Sequence, residues 1–204
     1  MIEIEKKFLL SDTQQYDLLQ DAQPLGEKAV EDSYLDTDDY RLTKKDFWFR
    51  ERNGAFELKV PLKSSDGSAT ATNRYHELTT VEEIARELEL DPTADFDAAL
   101  SRAGIKRFIT CYTNRTSYEK QGFHIDIDAA TYRDSAFTYA LAEIELLVHD
   151  ESKADEAEQR IVAFAQSYNL TTDQLVLGKI GSYLKAESQA HYKALVEAGV
   201  FRQA

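Results

Sequence analysis

Glu3, Glu5 and Lys7 stand on alternate positions at the start of the chain, and Glu143 and Glu145 repeat that spacing far downstream. Successive side chains of a β-strand point to opposite faces, so each set projects from one side of its strand. Ile4 and Ile144 then fall on the other side. Four carboxylates and a lysine aimed into one space repel one another, shift in protonation or bind a cation.

The same parity runs through other segments. Trp48, Arg50 and Arg52 share a face, as do Glu57 and Lys59, Tyr75 and Glu77, Thr113, Arg115 and Ser117, and Asp126 and Asp128. A sheet with one solvated face alternates in the same way. Here, however, arginines pair with arginines and acids with acids, which is tolerable only if opposite charge lies across the space. An antiparallel barrel about eight strands wide can supply that space and hold one small ligand. Lys7, Arg50, Arg52, Lys59 and Arg115 would form a cationic wall suited to phosphate oxygens. Glu3, Glu5, Asp126, Glu143 and Glu145 would form an acidic wall suited to Mg²⁺ or Mn²⁺. A cation could then bridge the acidic wall to a polyanion gripped by the basic one.

The elements that must position these residues are legible. A first strand over about 2–10 ends at Ser11, which with Gln14 makes a capping box for a helix over about 12–22. A second strand covers 28–36, and Asn53-Gly54 joins 47–52 to 56–60 as a hairpin. Residues 63–72 form a polar, small-residue loop, and 74–78 return as a strand. Helices follow from Thr80 and over 95–103, then three long strands over 106–119, 122–133 and 137–149. The remainder reads as helices over 152–168, 173–186 and 189–199. The fold class is therefore α+β, one domain over 1–204, with about eight hairpin-connected strands, helices outside and a helical C-terminus. His76 and His124 are assigned to the parity opposite the ionic face, so neither histidine catalysis nor zinc binding is expected.

With 24 basic and 37 acidic residues the net charge is −13, which argues against a nucleic-acid partner. Cys111 is the single cysteine, so no internal disulfide forms and a reducing compartment fits. No apolar run spans a membrane and no apolar leader opens the chain; a cytoplasmic protein is expected.

Glu3-x-Glu5-x-Lys7, followed in order by Arg50-x-Arg52, Glu57-x-Lys59, Glu77, Arg115, Asp126-x-Asp128 and Glu143-x-Glu145, resembles the signature of the CYTH superfamily, the triphosphate tunnel metalloenzymes. Within it the chain is most similar to thiamine triphosphatases, through residues 2–9, 32–37, Trp48, Lys179-x-x-x-Tyr183-Leu184 and His191-Tyr192. Asn114 departs from the pattern, standing where a basic residue usually precedes the arginine, which removes one phosphate contact.

The resemblance implies a closed eight-stranded tunnel that hydrolyses the terminal phosphoanhydride of a triphosphate, thiamine triphosphate or inorganic tripolyphosphate. It implies that Glu3, Glu5, Asp126, Glu143 and Glu145 hold one or two divalent cations. Lys7, Arg50, Arg52, Lys59, Arg115 and Lys179 would bind the triphosphate, with Lys7 also stabilising the transition state. Trp48 would contact the thiamine ring, in competition with a plain packing role. Glu143 or Glu145 would orient the attacking water, and Glu57 and Glu77 would hold Lys59 and the arginines by ion pairing. Two other readings use the same walls: a class IV-type adenylate cyclase making cyclic AMP from ATP, and a non-catalytic polyphosphate-binding module.

Overall fold

The computed structural model describes residues 2–62, 72–91 and 95–201. The polar loop expected over 63–72 lies outside the described residues except for Thr72. Eight strands close into an antiparallel barrel: β1 (Ile2–Phe8), β2 (Gln23–Asp36), β3 (Trp48–Arg52), β4 (Ala55–Pro61), β5 (Asn73–Leu78), β6 (Lys106–Lys120), β7 (Phe123–Tyr132) and β8 (Ser135–Val148). Their order around the barrel is β1-β5-β4-β3-β2-β6-β7-β8, and β8 pairs back onto β1. Six α-helices accompany them among the described residues: α1 (Asp12–Leu19), α2 (Val81–Glu87), α3 (Phe96–Arg102), α4 (Ala154–Ser167), α5 (Lys179–Glu187) and α6 (Gln189–Glu197).

Local chemistry sets the ends of these elements. Ser11 and Gln14 form the reciprocal capping box that starts α1. Asn53 and Gly54 take φ values of 48° and 87°, the left-handed pair that a tight β3–β4 hairpin requires.

The barrel is polar inside and apolar outside. Ile2, Ile4, Phe8, Ile125 and Ile144 face outward and pack beneath Ala157, Ile161, Phe164 and Ala165 of α4. Ile109, Cys111 and Tyr132 lie instead on the inward parity, that of Arg115 on β6 and Asp128 on β7, and pack under Ile180 and Leu184 of α5 and Leu195 of α6. Leu35, Phe49 and Leu58 meet Ile84 of α2 and Leu100 of α3. The first and third clusters seat α2, α3 and α4 on the outer face of the strands, while the second is an apolar continuation of the inward-facing parity beneath α5 and α6. Among the described residues, no helix is long and apolar enough to cross a membrane.

The C-terminal region differs from expectation in one segment. Residues 173–178, expected as the start of a helix, are not helical, and α5 begins at Lys179. Tyr139 donates to the Leu177 carbonyl at 2.9 Å and Tyr132 to the Lys179 carbonyl at 2.7 Å. Those two phenols hold the segment across the barrel as a strap. Side chains 47 and 38 residues away satisfy the carbonyls at its end, so the helical period of the segment has no decisive say.

Candidate active site in the barrel tunnel

Every residue singled out above for metal or phosphate lines one cavity of about 460 Å³ inside the barrel: Glu3, Glu5, Lys7, Trp48, Arg50, Arg52, Lys59, Arg115, Asp126, Glu143, Glu145 and Lys179. Ring closure brings them together. The acidic strands β7, β8 and β1 are consecutive, and β3, with its two arginines, lies four strands from β8 in either direction.

Register builds the acidic side. Glu5 on β1 is the cross-strand partner of Glu145 on β8, which in turn is opposite His124 on β7. Oxygens of Glu3, Glu5 and Glu145 lie within 4.8 Å of one another. Burial, reinforced by the neighbouring charge of Glu3, pushes the Glu145 carboxyl up to about 9, so it holds a proton at neutral pH. Burial works against Glu3 too, but Lys59 beside it outweighs burial and holds Glu3 down at about 2. Three carboxylate donors crowded in this way fit a hard divalent cation such as Mg²⁺ or Mn²⁺, which would replace the proton.

Asp126 belongs to a second group with His124 and Glu145. It already accepts from Ser117 at 2.6 Å and from His124 at 3.0 Å, and it pairs with Arg115. Glu143 stands in neither group. Its oxygens face Arg115 at 2.6 Å and Lys179 at 3.5 Å, and these cations overcome burial to keep the carboxyl well below its ordinary range.

The cationic side is held by carboxylates on nearby strands. Arg115 makes a two-pronged pair with the fully buried Asp128, 2.6 Å at each contact, and Lys179 also binds Asp128. Arg52 grips Asp32 with two bonds of 2.7 and 2.8 Å. Arg50 reaches Glu57 at 2.6 Å, Glu77 at 3.4 Å and Asp32 at 3.8 Å. Lys59 binds Glu3, and Lys7 binds Glu5 and, at 3.0 Å, Asn73. Burial alone would lower Arg50, Lys59, Arg115 and Lys179, yet adjacent carboxylates, joined at Arg50 by the Tyr34 phenol, raise all four. Glu57 and Glu77 thus pair with Arg50 as expected, whereas the expected partner of Lys59 is replaced by Glu3.

The expectation of two walls facing each other across empty space is therefore refined. Each cation has a carboxylate within reach because an unpaired buried charge is prohibitively costly.

Several lining residues were missed. Tyr34 lines the cavity, and Asp32, which grips Arg52, shares its parity on β2; Asn73 continues the parity of Tyr75 and Glu77 on β5, while Asp46 lies outside the strands and carries no such signal. His124 is a correction: it has the same parity as Asp126 and faces the tunnel, where its Nε2 lies 3.0 Å from Asp126. Asn114 is another. It lies exposed on the outer face, between inward-facing Thr113 and Arg115, so a basic residue there would make no tunnel contact. The strap adds Leu175, Val176, Leu177 and Gly178. A side chain at Gly178 would meet the Lys7 Cε at 3.0 Å, so glycine lets the strap pass close to that lysine.

Comparison with known proteins agrees with this fold. Human thiamine-triphosphatase is 26% identical over 220 residues, covering 100% of this chain and 93% of the human protein. Among solved structures, the PH1819 protein of Pyrococcus horikoshii OT3 superposes with a TM-score of 0.64 at 18% identity, covering 91% of this chain and 99% of its own. HpAC1 of Hippeastrum, a proposed adenylyl cyclase described as having a dominant triphosphatase activity, gives a TM-score of 0.54 at 14% identity, covering 93% and 98%. A sequence model of the CYTH domain matches residues 1–177, and the chain belongs to the CYTH domain family.

Proposed function

We propose that the protein is a metal-dependent triphosphatase that hydrolyses the terminal phosphoanhydride of thiamine triphosphate or inorganic tripolyphosphate. The observation that carries this reading is the Glu3–Glu5–Glu145 group sharing one closed tunnel with six buried or half-buried cationic side chains. The similarity to human thiamine-triphosphatase along the whole chain supports it.

In this reading Arg50, Arg52, Lys59, Arg115, Lys7 and Lys179 exchange carboxylate partners for phosphate oxygens, arginine through its planar fork. Glu3, Glu5 and Glu145 hold the divalent cation, with Asp126 adjoining through Glu145. A bound cation neutralises charge on the phosphoryl and leaving oxygens. Glu143 stays ionised and stands outside that group, which leaves it to orient the attacking water. A loose phosphoryl-transfer transition state asks for orientation more than for a strong base. Water adds to the terminal phosphorus, the bridging P–O bond breaks, and orthophosphate and the diphosphate leave.

The test is phosphate release from thiamine triphosphate, tripolyphosphate and ATP with Mg²⁺, Mn²⁺ or Ca²⁺. Cation-dependent release from one of the first two is expected. Absence of release from both overturns the reading, and cyclic AMP formed from ATP would replace it with a lyase.

A further inference from the structure

Lys179 is gripped at both ends by the same two strands. Its amine meets Asp128 of β7 and, at 3.5 Å, Glu143 of β8. Its backbone carbonyl accepts from the Tyr132 hydroxyl of β7 at 2.7 Å, and the Leu177 carbonyl accepts from the Tyr139 hydroxyl of β8 at 2.9 Å. Each phenol stands four positions from the acid of its own strand, on the same face and roughly 13 Å along it. Strands β7 and β8 therefore each supply one carboxylate to the amine and one phenol to the strap. Neither phenol is among the residues that line the cavity, so neither touches a ligand held there.

Between the two tethered carbonyls lies Gly178, with φ −68° and ψ 174°, angles open to any residue. Glycine is needed there for room. A Cβ would meet the Lys7 Cε at 3.0 Å and its Cδ at 3.6 Å. The strap thus carries one tunnel lysine and borders another. A buried phenol takes whatever acceptor is near, but here the acceptors are the carbonyls on either side of Gly178, and one belongs to Lys179 itself. The Tyr132 ring is seated independently of its hydroxyl, packed on Tyr183 at 4.7 Å and on Phe137 at 5.6 Å.

Resting on the triphosphatase reading, we propose that Tyr132, Tyr139 and Gly178 are positioning residues for the two lysines at the strap. The phenols pin the strap, so Lys179 leaves Asp128 for a phosphate oxygen by side-chain rotation alone. Gly178 leaves Lys7 the space to turn from Glu5 in the same way.

Double-mutant cycles test this, read as tripolyphosphate affinity in Mg²⁺ by calorimetry and as phosphate release, with melting curves to establish folding. Tyr132→Phe, which keeps the ring, should weaken binding about two- to tenfold. Tyr139→Phe should cost less, because the Ser182 hydroxyl also reaches the Leu177 carbonyl at 3.4 Å. Gly178→Ala should weaken binding about two- to tenfold. In Lys179→Met, which keeps the apolar stem, adding Tyr132→Phe should cost less than about twofold; Lys179→Gln takes its place should the methionine variant not fold. In Lys7→Met the Gly178→Ala loss should vanish and the Tyr132→Phe loss persist in full.

Losses that multiply in every background would mean that these residues only hold the fold, and would overturn the proposal. So would a folded Tyr132→Phe protein that binds like wild type. A wild type that binds tripolyphosphate with this pattern of coupling but releases no phosphate would sink the triphosphatase reading and leave the positioning roles standing. Phosphate release alongside uncoupled losses would do the opposite. No binding of tripolyphosphate at all overturns both.

Discussion

Around Arg115 and Lys179 every charge meets its opposite, whereas around Glu145 three carboxylates crowd together with a proton between them. The first cluster, with Asp128 at its centre, is closed: two cations share one fully buried aspartate, and Glu143 completes the alternation. The second is open. Lys59 and Lys7 compensate Glu3 and Glu5, but Glu145 is left with like-charged neighbours. Both clusters lie on adjoining strands of one barrel, so burial does not separate them. The difference is satisfaction. A satisfied network holds geometry, and an unsatisfied one stores an appetite for an incoming cation.

The sharpest way to break this comparison is Asp128→Ala. It would strand buried Arg115 and Lys179 together, and unfolding by denaturant should show a loss of about 3–5 kcal/mol. A loss under about 1 kcal/mol would mean that Asp126 and Glu143 suffice and that the cluster is not built around Asp128.

Glu145→Gln should do the reverse, removing function with little harm to the fold. Phosphate release should drop about 10²–10³-fold, and added Mg²⁺ or Mn²⁺ should no longer raise the melting temperature. Undiminished turnover would remove Glu145 from the machinery.

The smallest effect is in pH. Glu145 titrates at about 9 in the folded, cation-free protein against an ordinary 4.5. A raised carboxyl contributes stability that is complete below 4.5 and lost as pH climbs through about 9. Cation-free protein should therefore melt progressively lower across that window, and divalent affinity should strengthen up to about tenfold per pH unit as the proton leaves. Calorimetry in buffers of different ionisation enthalpy should count close to one proton released per cation. A flat profile would mean that Glu145 is already ionised and the contrast between clusters is lost.

Much of this site was readable in advance because the relevant signal is local. Alternation has a period of two, so Glu3-x-Glu5-x-Lys7 or Arg50-x-Arg52 declares a shared face without knowledge of any partner. The same rule should have placed His124 with Asp126 and kept Asn114 outside; both corrections come from applying parity strictly rather than from new information. Asp46 is different in kind. Its place in the tunnel rests on a left-handed turn and on Trp48 and Tyr75 converging on one oxygen, and Tyr75 is 29 residues distant. The strap over 173–178 was likewise illegible, since its hydrogen-bond donors lie on β7 and β8.

What the chain determined by itself is which side chains face inward, the ionic composition of that face and the hairpin order of the strands. These follow from the pleat and from turn residues such as Asn53-Gly54, a few positions at a time. Only the tertiary structure decided the pairings: Lys59 with Glu3 across 56 residues, Lys179 with Asp128 across 51, and Glu145 left among like charges. Closing the barrel brings together strands far apart in sequence, and Coulomb interactions in a buried space depend on that distance and not on sequence separation.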